Sequence, residues 1–356
     1  SLSNRNMVIN GDMAVAQRAT SVTGITSCGT NYFTCDRWGI CEAGDATITI
    51  AQSSVSPEGF NNSLKLDVTT ADTSLATTQY MSFFQKFEGL DLQQLNWGTS
   101  NAKSVTLSFH VKSNKTGTYV VNLTAADATN KYQSQTYTID SADTWEKKTI
   151  TYIGETTTAI PDDNTDGALL EWGLASGTAY TSGGATGKAW SSAVTSYFGG
   201  LNVNILDHTD NEFLLTGVQL EVGQVATPFE HIDFATNLAK CQRYYQKSYN
   251  YGTAPGTGTT VGEIGNDGNP SSGSNTGQLI DFHSFYCEMR DTPTMTFYDI
   301  AGTSGKVSTV KHGTNEYNGE TGDVFRGGAK NYSVQRPATG NDVNSIRWHF
   351  TATAEL

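Results

Sequence analysis

The sequence has little charge, and most of what it has is of one sign. Only 16% of its 356 residues are charged, with 22 basic residues against 35 acidic ones and a formal net charge of −13. Binding to a nucleic-acid backbone depends on clustered Lys and Arg that neutralise phosphates. The composition therefore argues against a nucleic acid as partner and suits neutral ligands.

Long apolar runs and catalytic signatures are also missing. No run of about 18 apolar residues occurs, so the sequence predicts no helix that inserts into a membrane. It contains no Ser nucleophile elbow, Walker loop or GxGxxG fingerprint. Glu171 beside Trp172 resembles the carboxylate and sugar-stacking indole of a glycosidase, but a solvent-facing Glu next to a packed Trp is the interpretation we favour. The sequence therefore predicts a non-catalytic protein.

What the sequence does contain is typical of an all-β protein. Gly is abundant (36 residues), and Ser and Thr are frequent between short apolar runs. About ten short strands separated by turn signals favour a two-sheet jelly-roll sandwich over an open sheet. They are predicted at residues 7–9, 46–52, 63–69, 80–87, 104–113, 118–125, 135–139, 146–152, 168–175, 197–205 and 213–221. Residues 90–95 are predicted to form a short helix or turn.

A second unit is expected because the chain exceeds the length at which one core usually stops growing. Residues 249–276 are rich in Gly, Thr, Ser and Asn, which indicates an irregular segment. Strand signals then return and predict a smaller antiparallel β-sandwich. They lie at residues 279–290, 294–300, 306–311, 329–334 and 345–354.

A short helix is predicted between the two β domains. Pro228 and Phe229 follow the last strand of the first domain, and Asp233 is placed to act as an N-cap. Apolar residues then recur at helical spacing at positions 234, 238, 241 and 245. The predicted domains are a jelly roll over residues 1–232, a linker helix over 233–248 and a C-terminal β domain over 249–356.

Several landmarks resemble those of virion proteins from tailed bacteriophages, the tail-fibre or capsid-fibre family. Members have a jelly roll like that of carbohydrate-binding modules (galactose-binding-like), a helix rich in Cys-Gln-Arg-Tyr-Tyr and a small C-terminal β domain. The order of the landmarks over nearly the whole chain carries the resemblance. They are residues 6–12 (NMVINGD), 36–38 (DRW), 104–112 (SVTLSFHVK), 144–147 (TWEK), 213–245, 289–293 (MRDTP) and 354–356 (AEL).

The resemblance implies an appendage on the exterior of a virion that adheres to host-cell polysaccharide or lipopolysaccharide. It also implies contacts with other virion proteins and a homotrimer. Leu238, Cys241 and Tyr245 are then expected to line the three-fold axis or to pack between the domains. Two alternatives stay open: a structural capsid or tail decoration protein that contacts only other virion proteins, and a polysaccharide-degrading enzyme.

Sugar binding needs aromatic faces together with amides and carboxylates. The long loop over residues 176–192 is rich in Gly, Ser and Thr yet carries aromatic residues, and such loops are often functional. The predicted glycan-binding residues are Trp172, Tyr180, Trp190 and Tyr132. For Trp38, Trp145 and Trp348 a place in the core is predicted instead.

The resemblance also implies a structural calcium ion, but the sequence departs from that pattern. Ala14 stands where an acidic ligand is expected after Asn10-Gly11-Asp12, and Leu215-Thr216-Gly217 stand where an Asp would open the last strand. We therefore predict no metal or other cofactor. For Asp162, Asp163 and Asp166 a solvated acidic turn is favoured over an ion site.

The five cysteines, at positions 28, 35, 41, 241 and 287, are odd in number and contain no CxxC pair, which argues against a zinc site. Cys28 and Cys35 flank a possible turn and could pair. For a protein assembled in bacterial cytoplasm, however, reduced cysteines are expected.

Overall fold

Alternation of apolar and polar residues along short segments produces the strands of this chain. The computed structural model describes residues 4–27, 32–126, 130–266, 279–311, 316–336 and 343–356. The described chain is mostly antiparallel β-structure, which confirms the predicted all-β class. It divides into two units, with the boundary between Asn237 and Leu238.

Two antiparallel sheets form the first unit. One has six strands in the order β1-β3-β4-β11-β6-β9, and the other has five in the order β2-β5-β10-β7-β8. The strands are β1 Ser21–Ile25, β2 Gly39–Glu42, β3 Thr47–Ser53, β4 Ser63–Thr70, β5 Tyr80–Glu88, β6 Val105–Ser113, β7 Gly117–Ala125, β8 Lys131–Ile139, β9 Glu146–Tyr152, β10 Asp166–Ser176 and β11 Glu212–Val222. Short helical segments are α1 Thr178–Thr181 and the 3-10 turns Gly89–Leu95, Val194–Ser196 and Ile205–Asp207.

The core of the first unit lies between the two sheets. In β10, Leu170, Trp172 and Leu174 all point inward and are each 0% exposed. The Trp172 ring lies 5.5 Å from the ring of Trp38 and 5.6 Å from that of Phe109. Aromatic side chains of this size contribute a large share of the buried apolar area. The predicted core position of Trp38 is confirmed, and Trp145 is half-buried.

Two predicted strands of the first unit are wrong. Residues 7–9 form a turn rather than a strand. The backbone N–H and C=O of Ile9 bond instead to the side-chain amide of Gln85, at 2.8 and 2.9 Å. Residues 197–205 are turns that lead into the 3-10 segment Ile205–Asp207. Their apolar residues are buried by packing on a sheet, which gives them the composition of a strand without its hydrogen bonds.

The second unit contains two smaller antiparallel sheets. Strand β20 pairs with β12, β13, β15 and β16, and β17 extends the sheet beyond β16, while β14, β19 and β18 form a three-stranded sheet. Val307, Val334, Trp348 and Phe350 belong to their shared core, and the predicted core position of Trp348 is confirmed. The strands are β12 Tyr245–Lys247, β13 Ile264–Asn266, β14 Leu279–Ser284, β15 Thr294–Tyr298, β16 Lys306–Lys311, β17 Glu316–Thr321, β18 Asp323–Gly327, β19 Asn331–Arg336 and β20 Val343–Thr353.

The predicted helix is present but shorter than expected. Helix α2 spans Phe234–Gln242, and the Asp233 carboxylate accepts the N–H of Thr236 at 3.0 Å as an N-cap does. Tyr245 lies beyond the helix in β12, where it pairs with Thr353. The predicted apolar stripe is therefore wrong at this residue, since Phe234, Leu238 and Cys241 lie on α2 and Tyr245 does not. Among the described helices, none is long and apolar enough to cross a membrane.

The expectation of reduced cysteines is wrong for Cys41, which is disulfide-bonded. Cys35, Cys241 and Cys287 are free, so the suggested pairing of Cys35 is also wrong. Cys28 lies outside the described residues. Burial and the neighbouring Asp36 raise the pKa of the Cys35 thiol well above its ordinary value, and this thiol is therefore protonated and inert at neutral pH.

We expect Trp172→Ala to lower the free energy of unfolding of the first unit by about 3–5 kcal/mol, because the substitution leaves a cavity between two packed sheets. Trp190→Ala should cost less, since this ring is partly exposed. Urea unfolding followed by circular dichroism measures both. Equal losses in the two variants would contradict the placement of Trp172 in the core.

Candidate binding site

A long loop covers the outer face of the five-stranded sheet. This covering loop, residues 177–204, begins where β10 ends and includes α1. Gly173 of β10 lies beneath it, and a Cβ at this position would lie 2.5 Å from the ring of Phe198. Because glycine has no side chain, the Phe198 ring can lie directly on the sheet, and it is 0% exposed.

Backbone hydrogen bonds hold the covering loop in place. Ser191 and Tyr132 exchange two bonds of 2.9 Å, which extends the edge strand β8 by one bridge. Phe198 N–H donates to the carbonyl of Tyr180 at 2.9 Å, and Gly187 N–H donates to that of Ser134 at 3.1 Å. These bonds hold the covering loop against the outer face of the sheet.

Glu171 lies beneath this loop and not in a cleft. Its side chain accepts hydrogen bonds from Ser82 Oγ at 2.6 Å and from the Tyr197 hydroxyl. Burial raises the pKa of the Glu171 carboxyl above its ordinary value, although the two bonds oppose that shift. Burial and the adjacent Glu171 also raise the pKa of Tyr197 well above its ordinary value. Glu171 is therefore a buried polar residue whose hydrogen bond with Tyr197 holds the covering loop on the sheet.

The four predicted aromatic ligands do not form one surface. Trp172 is in the core, because alternation along β10 turns its ring away from the covering loop, and Tyr132 is 3% exposed with its hydroxyl bonded to the carbonyl of Ala193. The structure corrects the expectation that these two residues face a ligand. Tyr180 is half-buried against Tyr80, with ring centroids 5.3 Å apart.

Trp190 is partly exposed at the rim of the loop. Its ring meets that of Trp97 edge to face at 5.2 Å, and its Nε1 donates to the carbonyl of Ile153 at 3.1 Å. Of the four predicted aromatics, Tyr180 and Trp190 therefore keep some surface that a ligand could touch.

A separate pocket lies beside the first residues of the chain. This N-terminal pocket is open to solvent and has a volume of about 70 Å³. It combines one aromatic ring, one imidazole, one carboxylate and two amides. Its lining residues are Asp12, Ala14, Gly59, Phe60, Asn61, Asn62 and His231.

Glu230 fixes the position of the pocket wall that carries His231. The Glu230 carboxylate accepts three backbone N–H groups, from Asn4 at 2.5 Å and from Arg5 and Asn6 at 2.9 Å. Its own N–H donates to Gln219 Oε1 of β11 at 2.8 Å. Hydrogen bonds to a charged acceptor are the stronger kind, so the chain on both sides of the pocket is held firmly.

Phe60 forms the aromatic wall. Its ring lies 5.0 Å from the ring of Phe229, 5.4 Å from His231 and 5.2 Å from His110. Gly217 makes this approach possible, because a Cβ there would lie 2.6 Å from the Phe60 ring, and its φ of +61° disfavours other residues. Contacts with Phe229, His231 and His110 thus hold the Phe60 ring in place, and the residue stays partly exposed.

His110 belongs to the support behind this wall. Its Nδ1 is buried with no hydrogen-bond partner among the described residues. Burial, together with the positive charge of Lys147, lowers the pKa of the His110 imidazole. The ring is therefore neutral at pH 7 and serves as a flat packing surface for Phe60.

The polar groups of the pocket are largely unused by the chain itself. Asp12 Oδ1 accepts from Asn237 Nδ2 at 3.1 Å and from the N–H of Ala14 at 3.4 Å. Within the described ranges, Asp12 Oδ2 and the side chains of Asn61, Asn62 and His231 make no hydrogen bond to the protein. Such groups can orient a polar ligand that rests on Phe60.

The sequence did not reveal this pocket, because its parts lie about 50 and 170 residues apart along the chain. The one signal in the sequence was the Asn10-Gly11-Asp12 turn, which resembles part of a calcium site. Gly11 lies close to β11, where a Cβ would be 2.1 Å from the carbonyl oxygen of Val218. Ala14, at the expected ligand position, lines the pocket with a methyl group.

No metal cage is formed by the described residues, since no group of three or more His, Cys, Asp or Glu side chains is suitably placed. In the acidic turn, Asp163 Oδ1 accepts two bonds from Thr165, at 2.9 and 2.6 Å, and these bonds lower its pKa. Asp166 pairs with Lys86 at 2.7 Å. One oxygen of each of these two carboxylates is thus bonded to a neighbouring residue.

No protein-family model and no curated protein matches the chain. Among solved structures it is similar to the enzymatically active domain of tailspike protein 4 of bacteriophage CBA120, with 11% identity and a TM-score of 0.31. That match covers 57% of this chain but only 22% of the tailspike domain.

It is also similar to two carbohydrate-binding modules. One is the family 11 module of Clostridium thermocellum in complex with a β-1,3-1,4-mixed-linked tetrasaccharide, with 11% identity, coverage of 61% of this chain and 99% of the module, and a TM-score of 0.29. The other is TmCBM61 in complex with β-1,4-galactotriose, with 8% identity, coverage of 62% and 100%, and a TM-score of 0.29. Likenesses at this level assign no function.

We expect Glu171→Gln to remove a pH dependence of stability. The pKa of Glu171 is raised in the folded chain, so folding favours its protonated form, and its contribution to stability is full below the ordinary value of 4.5 and falls as the pH rises through the folded value. The difference in melting temperature between the variant and the native chain should therefore grow in favour of the variant across that window. Glu58→Gln, at an exposed position, is the control. A constant difference from pH 4 to 8 would contradict the expectation.

Proposed function

We propose that this chain is a non-catalytic adhesion protein of a bacteriophage fibre that binds host-cell surface glycans through the N-terminal pocket. The observation that carries the proposal is the pocket itself. A braced aromatic ring lies beside a carboxylate and two amides that have few hydrogen bonds within the protein.

The chemistry of the pocket suits a sugar. The C–H face of a pyranose is apolar and packs on an aromatic ring, whose face carries partial negative charge. The hydroxyls at the rim of the pyranose need donors and acceptors at fixed positions. Phe60 offers the ring, while Asp12 offers an acceptor, and Asn61 and Asn62 offer both donors and acceptors.

The non-catalytic part of the proposal is supported by the place of Glu171. A general acid in a glycosidase must reach the glycosidic oxygen and needs a second carboxylate across a cleft. Glu171 is 5% exposed and is covered by Tyr197. The carboxylate that most resembled a glycosidase residue in the sequence thus has no access to a polysaccharide.

The virion location, the contacts with other virion proteins and the homotrimer are supported by the sequence landmarks alone. A trimer suits a pocket of this size, because three weak sugar contacts on one particle raise the overall affinity through avidity. The fibre would then lie on the exterior of the virion, as the resemblance to fibre proteins implies.

A second candidate function is that of a decoration protein that contacts only virion proteins. The covering loop favours this second candidate, because Trp172, Tyr132 and Phe198 are all buried within the chain and a glycan could not contact them. Under this alternative, Trp190 and the exposed Val194 would contact a neighbouring subunit.

The test is binding to a glycan array and to host cells by three forms of the purified chain. These forms are the native chain, a Phe60→Ala/His231→Ala variant and a Tyr180→Ala/Trp190→Ala variant. We expect the native chain to bind saturably, the first variant to lose at least about 90% of the signal, and the second to retain most of it, because only the first variant removes the pocket wall.

Unchanged melting temperature and oligomeric state are the control for all three forms. No saturable binding by a well-folded native chain would refute the glycan proposal and favour the decoration protein. Loss of binding only in the Tyr180→Ala/Trp190→Ala variant would move the site to the rim of the covering loop.

A further inference from the structure

We infer that the N-terminal pocket takes a single uncharged sugar residue at the end of a glycan and discriminates against acidic sugars. The inference rests on the proposed glycan-binding function and adds the class of sugar. Three features of the pocket support it: its size, the charges that line it and the ability of Asp12 to accept further hydrogen bonds.

The size of the pocket limits it to one sugar ring. Pockets that hold drug-sized ligands enclose about 300–1,000 Å³. The N-terminal pocket, with a volume of about 70 Å³ and an opening to solvent, lies far below that range, and one aromatic ring, Phe60, lines it. A groove for several sugar residues would present a row of such rings. Recognition of a terminal residue therefore fits better than recognition of a chain interior.

The charges at the pocket favour an uncharged ligand. The lining contains the carboxylate of Asp12 and neither a Lys nor an Arg. Of the three arginines near this end of the sequence, Arg5 lies 3.8 Å from Glu221, Arg18 lies 3.7 Å from Asp36, and the buried Arg37 donates to the carbonyl of Lys86 at 2.6 Å. An acidic sugar would thus meet a like charge without a guanidinium or ammonium to compensate it.

The net charge of the whole first unit also disfavours acidic ligands. Residues 1–237 contain 24 acidic and 12 basic side chains, so nearly all of the net negative charge of the protein lies in this unit. Its field lowers the local concentration of anionic ligands, and this effect weakens as salt is added.

Asp12 also selects for a hydroxyl by its hydrogen-bonding capacity. The Asn237 side chain and the Ala14 N–H both donate to Oδ1, which leaves Oδ2 without a hydrogen bond from the described residues. An ionised carboxylate only accepts hydrogen bonds. A sugar hydroxyl can donate to Oδ2, whereas the carboxylate of a uronic acid has no proton to donate at neutral pH.

The test uses two pairs of monosaccharides that differ only in the group at C6: galactose with galacturonate, and glucose with glucuronate. Each competes for binding of the full chain to a glycan identified on the array, at low and at moderate salt. We expect at least one neutral sugar to compete, with its acidic counterpart weaker by about tenfold or more at low salt.

Two variants separate the charge of Asp12 from its shape. Asp12→Asn keeps an Oδ1 that can accept from Asn237 and removes the charge, so we expect the difference between neutral and acidic sugar to shrink to about threefold or less. Asp210→Asn, on a side chain 85% exposed, changes the net charge equally and should leave the difference unchanged.

Equal or stronger competition by the acidic sugars overturns the inference. So does array binding that none of the four monosaccharides inhibits, because the site would then require more than one residue. Both outcomes leave the proposed function standing, whereas absence of any saturable glycan binding refutes the proposed function itself.

Discussion

The hydrogen bonds between the first residues of the chain and strand β11 are the interaction on which the first unit and its pocket depend. The Asn6 side chain donates to the carbonyl of Val218 and accepts from the N–H of Leu220, both at 3.1 Å. The Asn6 amide thus replaces a neighbouring peptide group and satisfies a strand that would otherwise expose two polar backbone groups. Glu230 holds the same segment from its other side, and Asp12 and His231 are brought together as a result.

The covering loop explains why an aromatic-rich segment buries most of its rings. A sheet buried on one face can present the other to a ligand, but the central strand β10 of the five-stranded sheet is covered on both faces. Its outer face carries a carboxylate, a hydroxyl and an asparagine, and the loop supplies partners to them through Tyr197, whose carbonyl accepts from Asn122 at 2.5 Å. Polar residues on one face of these strands therefore do not show that this face of the sheet is exposed to solvent.

The architecture of the chain was largely predictable, and the site was not. The strands predicted at residues 168–175 and 213–221 and the N-cap at Asp233 are local patterns that the structure confirms. The packed Trp172 that was favoured over a glycosidase arrangement is confirmed, whereas the solvent-facing Glu171 expected beside it is wrong, because the covering loop buries that carboxylate. The pocket escaped detection because Phe60 and His231 meet only through tertiary contacts, which single-residue patterns do not record.

The way in which the covering loop is attached leaves its outward positions free to change in evolution. Many of its anchors are backbone hydrogen bonds, such as that from Gly183 N–H to the carbonyl of Thr195 at 2.7 Å, and these do not depend on side-chain identity. Lys188 and Thr195 are exposed and lie between such anchors. Related chains could diverge at these positions, and so alter the surface that other molecules contact, without disturbing the strands beneath.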